Sequence, residues 1–151
     1  MSEPKTAEFE WFRAYVGQCL AEQFDGSVPP IDDDDDWVIG WDSSVIYVSA
    51  HEGSPWCADA WAIAVRGLRP RVAVLREIND LNLRMPTAKA ALSGGALMIR
   101  QRVLADGLNA ETINQAVISV GIAAEHVGVM MASMFDGYDP FAVEVSSEDA
   151  G

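Results

Sequence analysis

The sequence predicts an α+β fold in the order α-βββ-α-ββ-α, with a five-stranded antiparallel sheet and helices packed on it. Three observations carry this. Apolar residues recur at three and four spacings over 5–24, 70–85 and 110–135, the period of a helix with a buried side. They tend to recur at every second position over 37–42, 45–51, 56–65, 87–92 and 96–104, the period of a strand. Short turn sequences separate most of the strands, which suits antiparallel neighbours because parallel ones need long crossovers.

The first helix places Phe9, Phe12, Val16, Leu20 and Phe24 on one side. Trp11 and Tyr15 are i, i+4 neighbours on its flank, either as a core edge or as an aromatic patch for a partner. Asp25-Gly26 ends the helix and Pro29-Pro30 forbids its continuation. Five aspartates follow at 32–36, and their mutual repulsion favours a solvated loop. A calcium loop needs alternating oxygen ligands and a turning glycine. This run has no internal glycine and no glutamate at the twelfth position, so a cation site is the minor reading.

The first strand puts Trp37, Ile39 and Trp41 on one face. Asp42-Ser43-Ser44 is turn chemistry, and 45–51 is rich in β-branched and aromatic residues. After Glu52-Gly53-Ser54-Pro55 the third strand has two unlike faces. One carries Trp56, Ala58, Ala60, Ala62 and Ala64; the other carries Cys57, Asp59, Trp61, Ile63 and Val65. A row of alanines lets a helix approach the sheet closely. The larger residues opposite are expected to face a second layer, a partner or a ligand.

Pro70 suits the first turn of the middle helix. Val74, Ile78, Leu81 and Met85 form its stripe, with Leu75, Asn79 and Asn82 beside it. The two asparagines are either solvent-facing or hydrogen-bonding residues at a helix–helix seam. Met85-Pro86 forces an extended exit, and Ser93-Gly94-Gly95 turns the last hairpin. Asn109 caps the third helix, with Glu111 favourably placed in its first turn. That helix is apolar nearly all round, which predicts burial on more than one side, and Asp136-Gly137 stops it. The domain is expected to span 1–137. An acidic, mobile tail at 138–151 is expected to follow, with Phe141 as its anchor.

The net charge of −13 is concentrated at 32–36 and near the C-terminus. It argues against nucleic acid and anionic membranes as partners. The cluster Arg66, Arg69, Arg71 and Arg76 reads as ordinary mixed-charge surface. Apolar runs fall well short of the ~20 residues of a spanning helix, and no apolar segment follows a basic N-terminus. With two cysteines at no metal-like spacing, Cys19 and Cys57 read as buried thiols and the expected location is cytoplasmic.

The chemistry of catalysis is missing from the pattern, so neither an enzyme nor a cofactor is expected. His51 and His126 have no triad-like neighbours in sequence. Ser93-Gly94-Gly95 lacks the lysine and helix of a phosphate loop. His51, Cys57 and Asp59 meet near a hairpin mouth and form the least favoured alternative, a metal or small-molecule site.

The runs 75–82 (LREINDLN), 86–92 (PTAKAAL) and 95–102 (GALMIRQR) carry a family resemblance. The chain resembles YbjN-like domains and the related actinobacterial peptide-binding chaperone-like proteins, which are similar in fold to class I type III secretion chaperones. The resemblance spans about residues 5–135. It implies a homodimer built partly on the middle helix and a surface that holds an extended client peptide against the sheet and first helix. The residues expected to meet a client are Trp11, Tyr15, Trp37, Trp41 and Trp61. Those expected at the seam are Leu75, Ile78, Asn79 and Asn82. A structural or regulatory dimer with no client is the second reading.

Overall fold

The changes of hydrophobic period become element boundaries in the computed structural model, which describes residues 7–42 and 44–137. The elements are α1 (Ala7–Gln23), β1 (Trp37–Trp41), β2 (Ser44–His51), β3 (Cys57–Val65), α2 (Val72–Arg84), β4 (Lys89–Ser93), β5 (Ala96–Leu104) and α3 (Ala110–Met134), with one 3-10 turn before α3. The predicted element order holds. The predicted tail at 138–151, Phe141 included, lies outside the described residues.

All neighbouring strands are antiparallel, in the order β1-β2-β3-β5-β4. β1 to β3 form the expected meander. The β3-to-β5 pairing leaves β4 on one edge and β1 on the other. Each edge is partly covered from within the chain. At β1, the Val38 N–H donates to the Pro30 carbonyl at 2.8 Å, and Ile31 bridges Trp37. At β4, the cover comes from the side chain of Asn82.

Cross-strand pairing sorts the sheet into two unlike faces. Trp37, Ile39, Ile46, Val48, the four alanines of β3, Leu97, Ile99 and Ala90 share one face and enter the core with α1 and α3. The alanine row does what its volume predicts. A Cβ placed on Gly128 of α3 would lie 2.6 Å from the Ala64 carbonyl oxygen, so this helix meets β3 backbone to backbone. A Cβ on Gly121 would run into the Trp41 ring.

α2 buries Val74, Ile78 and Leu81 and lies beside β4. α3 buries Ile113, Ala116, Val117, Val120, Gly121, Ala124, Val127, Gly128 and Met131. It is long and apolar enough to span a bilayer by length and composition alone, and here its buried side lies on the sheet. The expected burial on more than one side stops short of the outer one: Ile118, Ile122, Val129 and Met134 are exposed. The helix packs on the sheet and along one flank against α1, which leaves its outer side bare. His126 lies on its exposed side, not in the core.

The capping of α3 follows the sequence. Asn109 Oδ1 accepts from the Thr112 N–H and Thr112 Oγ1 accepts from the Asn109 N–H, each at 2.9 Å, a reciprocal cap.

Candidate functional site

The outer side of α1 carries small residues where the rest of the helix carries large ones. Ala14, Gly17 and Ala21 recur at i, i+3 and i+7, one helical stripe. The loop at 26–31 passes opposite this stripe, and a hollow of about 530 Å3 opens between them, lined also by Glu10, Arg13, Gln18, Val28, Ile31 and Trp37. Trp37 forms its floor: a Cβ on Gly17 would touch the indole at 3.4 Å. The Arg13 guanidinium sits 4.9 Å above the same ring and donates to the Asp35 carbonyl at 2.6 Å, tying α1 to the aspartate loop.

A second hollow, about 360 Å3, adjoins the first through Val28. It is lined by Phe24, Ser27, Pro29, Pro30, Val38, Ile39 and Gly40. It lies on the outer edge of β1. Val38 points its N–H outward to Pro30, and alternation along an antiparallel strand turns Gly40 the same way. Gly40 is exposed. Exposed Phe24, Val28 and Ile31 rim the two hollows. The two hollows, which share Val28, make a mainly apolar trough ending at a strand edge.

The five predicted client residues fall on separate surfaces. Trp11, 71 % exposed, stacks on Tyr15 with ring centroids 6.0 Å apart. The Tyr15 hydroxyl donates to the Leu108 carbonyl at 3.0 Å. This pair lies on the other flank of α1, where Trp11 and Trp56 border a shallow, open hollow of about 500 Å3. Trp37 is only 2 % exposed and belongs to the core. Trp41 is half-buried beneath α3 at Gly121. Trp61 is on the opposite sheet face, stacked on Tyr47 at 4.5 Å, with its indole N–H donating to Ser49 Oγ at 2.9 Å.

That opposite face is polar at its centre. The side chain of Asp59 is 2 % exposed and accepts two hydrogen bonds from Arg102, at 2.9 and 3.0 Å. His51 Nε2 lies 3.1 Å and Arg100 3.9 Å from the same carboxylate. The Asp59 carboxylate raises the Arg102 pKa further above its already high value. Burial pushes both the Cys57 and the Cys19 thiol upward, which makes them poor nucleophiles. His51, Cys57 and Asp59 thus do come together, but both Asp59 oxygens are already engaged by a guanidinium. Among the described residues no group of three or more His, Cys, Asp and Glu side chains is placed to hold a metal.

The aspartate run turns on itself. Asp32 Oδ1 accepts from the N–H groups of Asp34 and Asp36 at 2.9 and 3.0 Å. Burial raises the Asp36 pKa above the ordinary carboxylate range, against a lowering contribution from its hydrogen bond with Ser49.

The predicted seam residues divide in the same way. Ile78 is buried beneath α2, while Leu75 and Asn79 are exposed. With Val72 and Leu83, also exposed, Leu75 and Asn79 form an outward stripe at i, i+3, i+7 and i+11. Asn82 takes neither of its expected roles; it bonds to the backbone of β4.

The sequence profile described as "TY-Chap1: T3SS (YopN, CesT) and YbjN peptide-binding chaperone 1" matches residues 10–143. The chain belongs to this family. No curated protein matches it by sequence. The fold is shared with solved secretion-chaperone structures at low identity. The ExsC–ExsE complex matches at 12 % identity and a TM-score of 0.61, covering 80 % of this chain and 92 % of that one. The HopA1–SchA chaperone–effector complex matches at 10 % and 0.63, covering 82 % and 97 %. The Yersinia pestis type III secretion chaperone SycH, solved with a YscM2 fragment, matches at 13 % and 0.57, covering 75 % and 96 %. At such identity the likeness is one of fold, and it agrees with the α+β architecture read from the sequence.

The small-residue stripe of α1 was the signal for the trough, and attention to large aromatic residues passes over it. A groove is made by what is missing from a helix surface. Ala14, Gly17 and Ala21 do this only because the loop at 26–31 supplies the second wall.

Proposed function

We propose that this TY-Chap1 family protein is a non-enzymatic, cytoplasmic chaperone-like protein that holds an extended peptide segment as a homodimer. The observation that carries this reading is the apolar trough between α1 and the 26–31 loop, ending at the outer edge of β1. Apolar side chains of a client fill the hollows, and its backbone adds to the β1 edge beyond the short bridge at Ile31, the two components of strand addition. The chaperone–effector and chaperone–fragment complexes solved with this fold support this reading. The stacked Trp11–Tyr15 pair and the Tyr47–Trp61 pair provide further apolar contact area on the flank of α1 and on the far sheet face.

The dimer reading rests on the exposed stripe of α2. Leu75 is 48 % exposed and Leu83 78 %. A row of this kind on a soluble protein favours a partner surface, and a two-fold pairing of α2 with its copy would cover it.

A panel of fluorescent peptides with alternating apolar residues tests the trough against the full chain. Saturable binding is expected for some of them. Ala14→Arg, on an exposed position of the trough, is expected to weaken it by tenfold or more, about 1.4 kcal/mol, with unchanged thermal stability. Trp11→Ala/Tyr15→Ala is expected to weaken it less. Equal binding by Ala14→Arg rules out the trough; no binding by any peptide, with the dimer intact, leaves the structural-dimer reading. Sedimentation of Leu75→Asp and Leu83→Asp is expected to give monomer, and a wild-type monomer at tens of micromolar would remove the dimer.

A further inference from the structure

The charges of this chain are segregated along the sheet. Residues 66–102 hold eight of the ten basic side chains and two acidic ones, Glu77 and Asp80, a net +6 within a chain of −13. That segment builds α2, β4 and β5, one end of the sheet. The β1–β2 end holds the aspartate run. Arg66, Arg69, Arg71 and Arg76 are all exposed, from the end of β3 into the first turns of α2.

The chain leaves α3 at this basic end. Asp136 lies 3.8 Å from Arg71. Gly137 packs so closely on the preceding loop that a Cβ there would lie 2.8 Å from Leu68 Cδ2 and 3.2 Å from the Arg66 carbonyl. Fourteen residues follow, 138–151, with Asp139, Glu144, Glu148 and Asp149 and no basic side chain. Their sequence also alternates, with Phe141, Val143 and Val145 at every second position.

We propose that residues 138–151 act as an acidic strap that docks in cis on the basic surface of Arg69, Arg71 and Arg76. Two features select this occupant: the four negative charges of 138–151 complement a net-positive surface, and Gly137, the residue before them, packs next to that surface. A tether this short gives a high effective concentration, so a weak interaction suffices to populate the docked form. The tail expected from sequence to be mobile is, on this proposal, held.

Amide hydrogen exchange of the full chain tests this without removing any segment. In the wild type at low salt, amides within 138–151 are expected to exchange about tenfold or more slowly than their intrinsic rates. Protection is expected to weaken as salt screens the pairs. Arg71→Glu/Arg76→Glu is expected to abolish it, and so is the tail variant E144K/E148K/D149K, which leaves the folded elements untouched. Combining the two sets is expected to restore part of it. Intrinsic exchange rates throughout the wild-type segment, or protection unchanged by the charge reversals, would overturn the proposal. Protection that rises with protein concentration would also overturn it, because the strap would then lie on a second copy. None of these readouts depends on peptide binding.

Discussion

The side-chain amide of Asn82 bonds twice to the backbone of Ala90. Asn82 Nδ2 donates to the Ala90 carbonyl at 3.0 Å, and Asn82 Oδ1 accepts from the Ala90 N–H at 2.7 Å. A side chain on α2 thus imitates a neighbouring strand at the outer edge of β4. Lys89 Nζ adds bonds to the carbonyls of Asn82 and Met85, closing the end of the helix onto the same strand. An unpaired strand edge is a template for aggregation, and this one is blunted by a single amide.

Replacing Asn82 with alanine leaves both Ala90 groups without their partner. The expected cost is ~1–3 kcal/mol in chemical denaturation, with increased self-association by light scattering as the β4 edge is bared. Asn82→Asp keeps an acceptor for the Ala90 N–H and sets a carboxylate against the Ala90 carbonyl, so it too is expected to destabilise. Wild-type stability in both variants would show that the edge needs no cover.

Arg102→Ala removes the two-bond partner of a nearly solvent-free carboxylate. The expected loss is ~2 kcal/mol, less than the ~3–5 kcal/mol of a fully buried pair, because the Arg102 side chain is half exposed and His51 and Arg100 remain near. Asp59→Asn in the same background is expected to recover part of the loss, since the charge left without its partner is then gone. A double-mutant cycle in urea measures the coupling.

Gly128→Ala inverts the usual ranking of these residues. In an exposed helix this change gains about 1 kcal/mol. Here the added methyl meets the Ala64 carbonyl, and α3 must lift from β3. A net loss of ~1–3 kcal/mol is expected. A thermal midpoint raised by the substitution would contradict the close helix–sheet approach.

Asp36 gives a pH signature. Its folded pKa is raised, chiefly by burial, so between its unfolded value of ~3.9 and the higher folded value the native state holds more proton than the unfolded chain. Its stabilising contribution is therefore present at low pH and is lost as pH rises through the folded pKa. Asp36→Asn is expected to raise the melting temperature at pH 7, with the gain disappearing below about pH 4. An equal gain at both pH values would assign the effect to something other than this titration.

What the sequence by itself determined was the fold class, the order of elements and the family. Those follow from local periodicity: the switch from 3.6 to 2 at Trp37 and back at Pro70, the turn residues between strands, and the Asn109 cap. It also marked the alanine row of β3, because small side chains at alternate positions predict close approach whatever lies above them. The tertiary structure decided the surfaces. Trp37 and Trp61 are equally large and apolar in the sequence, yet one is a core residue and the other half-buried on the opposite sheet face. Asn82 could only be read as a helix surface or a helix seam until β4 stood beside it. The trough on α1 needs the 26–31 loop as its second wall. In each case the deciding fact is which chain segment arrives opposite, and side-chain periodicity within one element carries no record of that.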